Sequence, residues 1–574
     1  AAVVAAVEAP PQEQVQLTAL VLSLVLKWEQ CSKNAAYHRI VSLSFMELCV
    51  RYHNMIEQNA EALHLVLRVF LDERGMRHPD QMVSGRACYL FMRMIKPVRS
   101  QLSDKVDDIF TALEKPLTDA AQPLSQKMLE DIQAKTAHLA SNLSVGTRVQ
   151  GEEGNDDRLY VFEAAGLILG AEEVPEKQQC ERLMQVLQAL CGRIVEFVHV
   201  GEGVNGALAS QNAMRCVVAL SNLAKGFTAR ICVEMRPKVG EIFRSTMEVT
   251  MSCLKRWPRE KGVRHRVIGF LHQMIQILNH LVVPYLPDAV DALRSNGANS
   301  KELGETLVLI NQLSNTFKEA LIPMIAPIFL SIRQQIHENI RIGLSSSSTL
   351  ASASANIIGN NSSSDDFTRE AHELERNWIQ LINTFSLTSV LSPLLAANAD
   401  ARVLCLQELV ENAQTNGSIS IRKLCLQSLK QIVIDWIGTS ANPVGDEFIN
   451  FAVQKIGIEC CLGPPLFDYN LRDAGSIQAV NECFAIQKIL LLRIGEPFAT
   501  LLSTNVLPSL LSAKVDQNAI TNCASAYLNL LSSAALATDS SQIKPKDIRL
   551  LFGEIASMAT LPPWKSVVSP CNKS

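Results

Sequence analysis

Net charge is nearly absent from this chain: 53 Lys and Arg face 57 Asp and Glu, a formal net charge of −4 over 574 residues. That balance excludes a polycation that coats its partners through bulk charge. It leaves room for a local basic groove on an acidic protein. Aromatic residues are few (5%) and charged residues sparse (19%), against 48% apolar residues. So much apolar content with so little net charge excludes disorder of the whole chain. Collagen, coiled-coil and disulfide-scaffold compositions fail as well. Long apolar runs are missing: Leu17–Leu26 and Ala320–Ile332 fall short of the roughly 18–20 residues of a membrane span, so no membrane insertion is expected. The start, Ala-Ala-Val-Val-Ala-Ala-Val-Glu, has neither a basic n-region nor a Met and is not a signal peptide. It reads as the interior of a longer protein.

Motifs for chemistry are absent too. There is no P-loop, Rossmann glycine pattern, HExxH, GxSxG or kinase signature. An enzyme is not expected, nor a cofactor. The 15 cysteines contain no CxxC and no Cys/His set at zinc spacing, so no metal site is expected. Cys88, Cys191, Cys216, Cys253, Cys405, Cys425 and Cys523 lie in apolar helical stretches, where a thiol acts as a small hydrophobe. They predict reduced, buried thiols in a cytosolic or nuclear protein.

What is present is helical periodicity. Leu17–Lys27, Val41–Arg51, Ala62–Leu71, Val83–Pro97, Leu124–Ala140, Tyr160–Leu169, Leu183–Phe197 and Gln211–Lys225 carry apolar residues three and four apart. Gly, Pro, Asn and Asp mark the turns between them. No strand alternation and no βαβ rhythm is visible. Gly146–Asp157 is polar and acidic and reads as an exposed loop. Gly343–Asp366 is rich in Ser, Ala and Asn and reads as a flexible one.

Several helices open alike. Met214-Arg-Cys-Val-Val-Ala-Leu220, Val263-Arg-His-Arg-Val-Ile-Gly-Phe270 and Ile421-Arg-Lys-Leu-Cys-Leu-Gln-Ser-Leu429 share an apolar residue followed by Arg. Val83-Ser-Gly-Arg-Ala-Cys-Tyr-Leu90 has Ser instead. Arg215 and Arg264 are 49 residues apart, near the roughly 40–47 of HEAT and armadillo units. The pattern predicts an all-α HEAT-repeat α-solenoid, a superhelical stack of antiparallel helix pairs. HEAT repeats are expected over 1–342, with the acidic loop near 146–157, and again over 367–574, with the Ser-rich loop 343–366 between.

The basic residues form two groups. Arg86, Arg93, Lys96 and Arg99 lie along one predicted helix, the first three on one face. Lys255, Arg256, Lys261 and Arg266 surround Trp257, with Arg259 and Arg264 among them. Rows of point charges and guanidinium forks suit phosphate recognition. A solvated helix face, or an Arg ladder between repeats, explains the same residues; Arg264 has the look of a ladder residue.

Several segments resemble the Exportin-T family of karyopherins. They are Phe70-Leu-Asp-Glu-Arg-Gly-Met-Arg-His78, Ala87-Cys-Tyr-Leu-Phe-Met-Arg93, Tyr160-Val-Phe-Glu-Ala-Ala-Gly-Leu-Ile168, Val263-Arg-His-Arg-Val-Ile-Gly-Phe-Leu-His272, Leu309-Ile-Asn-Gln-Leu313, Gly445-Asp-Glu-Phe448 and Cys461-Leu-Gly-Pro-Pro-Leu-Phe-Asp468. The first is the most specific. The third is shared more loosely across exportins. The resemblance covers the family's middle and C-terminal part. It implies a nuclear export receptor that binds tRNA cooperatively with Ran-GTP and shuttles between nucleus and cytoplasm past nuclear pore proteins. The family's main Ran-GTP site lies in an N-terminal region that has no counterpart here. Within that reading, Arg86, Arg93, Lys96, Arg99, Lys255, Arg256, Lys261 and Arg266 are the candidate RNA contacts. Glu152, Glu153, Asp156 and Asp157 are candidate Ran contacts. Another karyopherin, carrying protein or other RNA, and a HEAT scaffold with no transport role are the alternatives.

Overall fold

The structure, a computed structural model, describes residues 11–30, 38–130, 156–200, 204–294, 299–353, 362–439, 442–511, 516–536 and 545–559. Among these it is all-α, with extended pairing limited to an isolated antiparallel bridge between Leu511 and Ala559. It is a HEAT-type stack of helix pairs. The chain divides into two compact units, Ala1–Ala298 and Asn299–Ser574. This division lies ahead of the Ser-rich stretch.

In the first unit the longer helices are α1 (Pro11–Leu26), α2 (Arg39–Arg51), α3 (Ala60–Leu71), α4 (Gln81–Val98), α5 (Val106–Ala121), α6 (Tyr160–Leu169), α7 (Glu176–Val198), α8 (Val204–Ala224), α9 (Pro237–Arg256), α10 (Lys261–Leu278) and α11 (Leu286–Arg294). Local chemistry explains their starts. Asn59 accepts from Ala62 N–H at 2.9 Å ahead of α3. Asp80 accepts from Met82 N–H at 2.8 Å ahead of α4. Each satisfies a donor that a helix start leaves open. α5 buries Val106, Ile109, Phe110, Leu113 and Leu117, an apolar stripe at helical spacing.

The helices form two layers. α4, α6, α8 and α10 pack one on the next in one layer. α5, α7, α9 and α11 do so in the other, and α7 pairs with α8 as α9 pairs with α10. The second unit repeats the scheme. α12 (Ser300–Phe317), α14 (Ser362–Leu387), α16 (Ile419–Trp436), α17 (Ala474–Ile494) and α18 (Gln517–Leu536) stack in line. α13 (Phe329–Ala353) pairs with α14, and α15 (Ala399–Thr415) with α16.

Two sequence motifs acquire a packing reason. In the Phe-Glu-Ala-Ala-Gly element, a Cβ added at Gly166 would lie 2.0 Å from the Leu223 carbonyl oxygen. α6 therefore meets α8 backbone to backbone, and eight of its ten residues are buried. The apolar-Arg helix openings also share a purpose. Arg215 donates to the Ala120 and Gln122 carbonyls, both at 3.1 Å. Arg264 is buried and donates to the Pro258 carbonyl in the turn before its own helix, and Arg422 likewise to that of Asn416. At the variant position Ser84 reaches only the Gln81 carbonyl of its own turn, at 3.2 Å.

Three expectations are modified by the fold. The Ser-rich stretch is helical at both described ends, since α13 runs to Ala353 and α14 begins at Ser362. Residues 354–361 lie outside the described residues. Ser and Ala extend a helix whose packed turns are already nucleated. The helix expected over 124–140 is present at 126–130, and the rest lies outside the described residues. Finally, the helical path Lys261–Arg294 is long and apolar enough to cross a bilayer, but half of its apolar window is buried in protein packing.

Candidate nucleic-acid interface

The buried stripe of α4 includes Val83, Ala87, Leu90, Phe91, Met94 and Val98. That stripe fixes which residues fall on the open side. Arg93, Lys96 and the following Arg99 are exposed. Arg86, Tyr89 and Arg93 stand three and four residues apart, so they share a face. The Arg86 guanidinium lies 4.7 Å from the centre of the Tyr89 ring and that of Arg93 lies 5.9 Å from it. The Tyr89 ring meets Tyr160 of α6 edge-on at 5.1 Å. Arg86 also pairs with Glu47 of α2 at 3.3 Å. Arg86 and Arg93 of the first predicted group thus share one surface, organised on an aromatic residue that charge patterning alone does not reveal. The signal was the Arg-x-x-Tyr-x-x-x-Arg spacing over 86–93.

The second group separates into different roles. Lys255 and Lys261 are exposed, and Arg266 is half-buried. Arg256 donates to the Val200 carbonyl at 3.1 Å. It sits in the last turn of α9, where a cation also suits the helix dipole. One arm of Arg256 is therefore engaged within the fold. α6 and α8 stand between α4 and α10 in the layer, so the two groups are not brought together.

Glu152 and Glu153 lie outside the described residues. Asp156 is buried, not displayed on a loop. Arg158 grips it through two bonds of 2.8 and 2.7 Å, and Arg215 adds a third of 2.7 Å. Burial alone would raise the Asp156 carboxyl, but the two guanidiniums outweigh it and hold it below the ordinary carboxylate range. The network ties α6 to α5 and α8, and leaves Asp156 no open side for a partner. Asp157 is half-buried in the short 3₁₀ turn that follows.

The Phe70–His78 motif is a built turn. Asp72 accepts from the Arg74 backbone at 2.8 Å and from its guanidinium at 3.0 and 2.6 Å. A Cβ at Gly75 would lie 2.4 Å from the Phe70 carbonyl oxygen, so only glycine closes this turn. Arg77 reaches across to the Ala112 carbonyl of α5 at 2.8 Å. With Lys115, Asp119 and Arg158 the turn lines a cleft of about 340 Å³.

In the second unit Glu408 of α15 is buried. It accepts from Arg333 Nε at 2.8 Å and from Trp378 Nε1 at 2.8 Å, with His337 Nε2 3.0 Å away. Burial would raise its carboxyl, but His337 and Arg333 hold it below the ordinary range. The cysteines singled out by sequence are free thiols and buried, except half-buried Cys191. Burial pushes Cys191 up to about 11, and Cys216 and Cys253 up to about 12.

Known proteins are similar to this chain in sequence. The family model described as Exportin-T matches residues 2–537. Exportin-T of Arabidopsis thaliana is 30% identical over 486 residues, covering 82% of this chain and 45% of that protein. Exportin-T of Oryza sativa subsp. japonica is 29% identical, covering 80% and 44%, and that of Homo sapiens 25% identical, covering 82% and 45%. The chain thus spans a little under half the length of the curated relatives it matches. With the match running through both units of the helical stack, the chain belongs to the Exportin-T family.

Proposed function

We propose that this chain is part of a nuclear export receptor that binds tRNA cooperatively with Ran-GTP and releases it in the cytoplasm. The observation that carries the reading is the α4 face, where Arg86 and Arg93 are set on Tyr89 beside exposed Lys96 and Arg99. A-form RNA is read by shape and backbone contacts more than by sequence. Positioned guanidinium forks and lysines suit that task. Lys255 and Lys261 supply a second, sequence-independent contact, and half-buried Arg266 a third cation near them.

The protein itself has no catalytic role; GTP hydrolysis belongs to Ran. Each ligand stabilises the same state of the repeat stack, so each raises the affinity of the other. The receptor shuttles between nucleus and cytoplasm. An apolar groove of about 460 Å³ between α7 and α9, lined by Met184, Leu187, Ile242 and Val249, suits apolar side chains of nuclear pore proteins.

The test is equilibrium tRNA binding to the full-length protein at near-physiological salt, with and without Ran-GTP. Tight binding only with Ran-GTP is expected. Arg93→Glu combined with Lys96→Glu should weaken all tRNAs alike and flatten the salt dependence by roughly 0.7–0.9 for each phosphate no longer engaged. Unchanged binding by that variant at low salt removes the α4 face from the interface. Binding in neither condition removes tRNA as the cargo.

A further inference from the structure

We propose that Arg86 is a phosphate-binding group that the Glu47 carboxylate occupies until RNA displaces it. Tyr89 is the positioning residue that holds Arg86 and Arg93 as one array. This rests on the RNA-binding reading of the α4 face and adds to it Glu47 and the role of Tyr89.

Two arginine pairs of this unit stand in contrast. Arg158 grips Asp156 with both arms, at 2.8 and 2.7 Å, and its partner is buried. Arg86 touches Glu47 through one nitrogen at 3.3 Å, with side chains 41% and 54% exposed. That distance exceeds the roughly 2.7–2.9 Å of a strong charge-assisted bond. An open, one-armed pair is readily exchanged for a phosphate, which accepts two arms at once. Glu47 is therefore a stand-in anion. α2 packs against α4 and keeps it within reach.

Tyr89 supplies the second half of the device. Arg86 and Arg93 are seven residues apart, about 10 Å along a helix axis. Both guanidiniums lie within 6 Å of its ring centre, at 4.7 and 5.9 Å. Tyr160 braces the ring from α6. Two long side chains that would otherwise sample many rotamers are thereby held at a set separation, so less freedom is lost on binding. The hydroxyl has no part in this; the ring face does.

The experiment is tRNA binding to the full-length protein with Ran-GTP present, at two salt concentrations. Glu47→Gln should tighten binding about two- to five-fold, the scale of an exposed ion pair. In an Arg86→Gln background the same substitution should change nothing. Tyr89→Leu should weaken binding, and Tyr89→Phe should match the wild type, with thermal melts confirming that each variant folds. Equal binding by wild type and Glu47→Gln overturns the displacement step, as does the same gain in the Arg86→Gln background. Equal binding by Tyr89→Leu and Tyr89→Phe overturns the positioning role. A wild type that binds no tRNA overturns the functional reading itself. One that binds, and is weakened by Arg93→Glu with Lys96→Glu while Glu47→Gln is silent, overturns this inference alone.

Discussion

Gly166→Ala places one methyl group where α6 and α8 touch. An ideal Cβ there would sit 2.0 Å from the Leu223 carbonyl oxygen and 2.8 Å from its carbon, whereas 3.4 Å or more is ordinary contact. Neither atom is on a flexible side chain, so the helices must part by about an ångström. Overpacking of this kind costs about 1–3 kcal/mol. Against it stands the gain from replacing a helical glycine by alanine, about 0.4–1 kcal/mol. The net expectation is destabilisation of about 1–2 kcal/mol. Gly269 of α10 and Gly192 of α7 are the controls, because a Cβ at either meets nothing within 4 Å. Gly192→Ala and Gly269→Ala should stabilise by about 0.5–1 kcal/mol, having the helical gain without the clash. Urea titration followed by far-UV circular dichroism reads all three. Because the chain has two units, the comparison is made on the first transition to move, not on a global two-state fit. If Gly166→Ala shifts the midpoint upward with the other two, the close approach of α6 and α8 is wrong.

Other expectations follow from the buried networks and the thiols. Glu408→Ala strands the Arg333 guanidinium and the Trp378 N–H, and should destabilise by about 3–5 kcal/mol; Glu408→Gln, which still accepts from Trp378, should lose clearly less in the same titration. Both Asp156 and Glu408 have carboxyls held below their ordinary range, so each stabilises the fold above the ordinary carboxylate pKa of about 4 and loses that contribution as pH falls through its lowered folded value. Asp156→Asn should therefore lower stability at neutral pH and reduce its fall below about pH 4, read as melting temperature against pH. In the native protein at pH 7.5, an alkylating reagent mapped by mass spectrometry should leave Cys216, Cys253, Cys405, Cys425 and Cys460 unmodified and label Cys180, which is only half-buried. Rapid labelling of the five would contradict their burial.

Local features of the fold were legible, and non-local ones were not. The helix Tyr160–Leu169 follows from its apolar run and coincides with α6. Arg264 repeats the opening of other helices and is buried as that repetition suggests, its bond running to Pro258 in the turn before its own helix. Arg256 looks the same in sequence whether its fork meets a phosphate or the Val200 carbonyl, 56 residues away. Asp156 reads as part of an acidic loop, since Arg215, which buries it from 59 positions further on, is invisible to local charge counting. Within the candidate site, the exposed cations were found by charge and helical spacing. Tyr89 was not, because a count of charges passes over the aromatic that stands between Arg86 and Arg93 at helical spacing.

The guanidiniums of Arg77, Arg236 and Arg256 donate to main-chain carbonyl oxygens of segments 35 to 64 residues away. Every residue type supplies that acceptor, so the position opposite each arginine is free to drift without a matching change. Substitution at one end then demands no compensation at the other. Such ties leave no correlated pair of columns in a set of related sequences. Contact maps inferred from covariation should recover the apolar seams between these helices and stay blank where the arginines clamp one repeat to its neighbour.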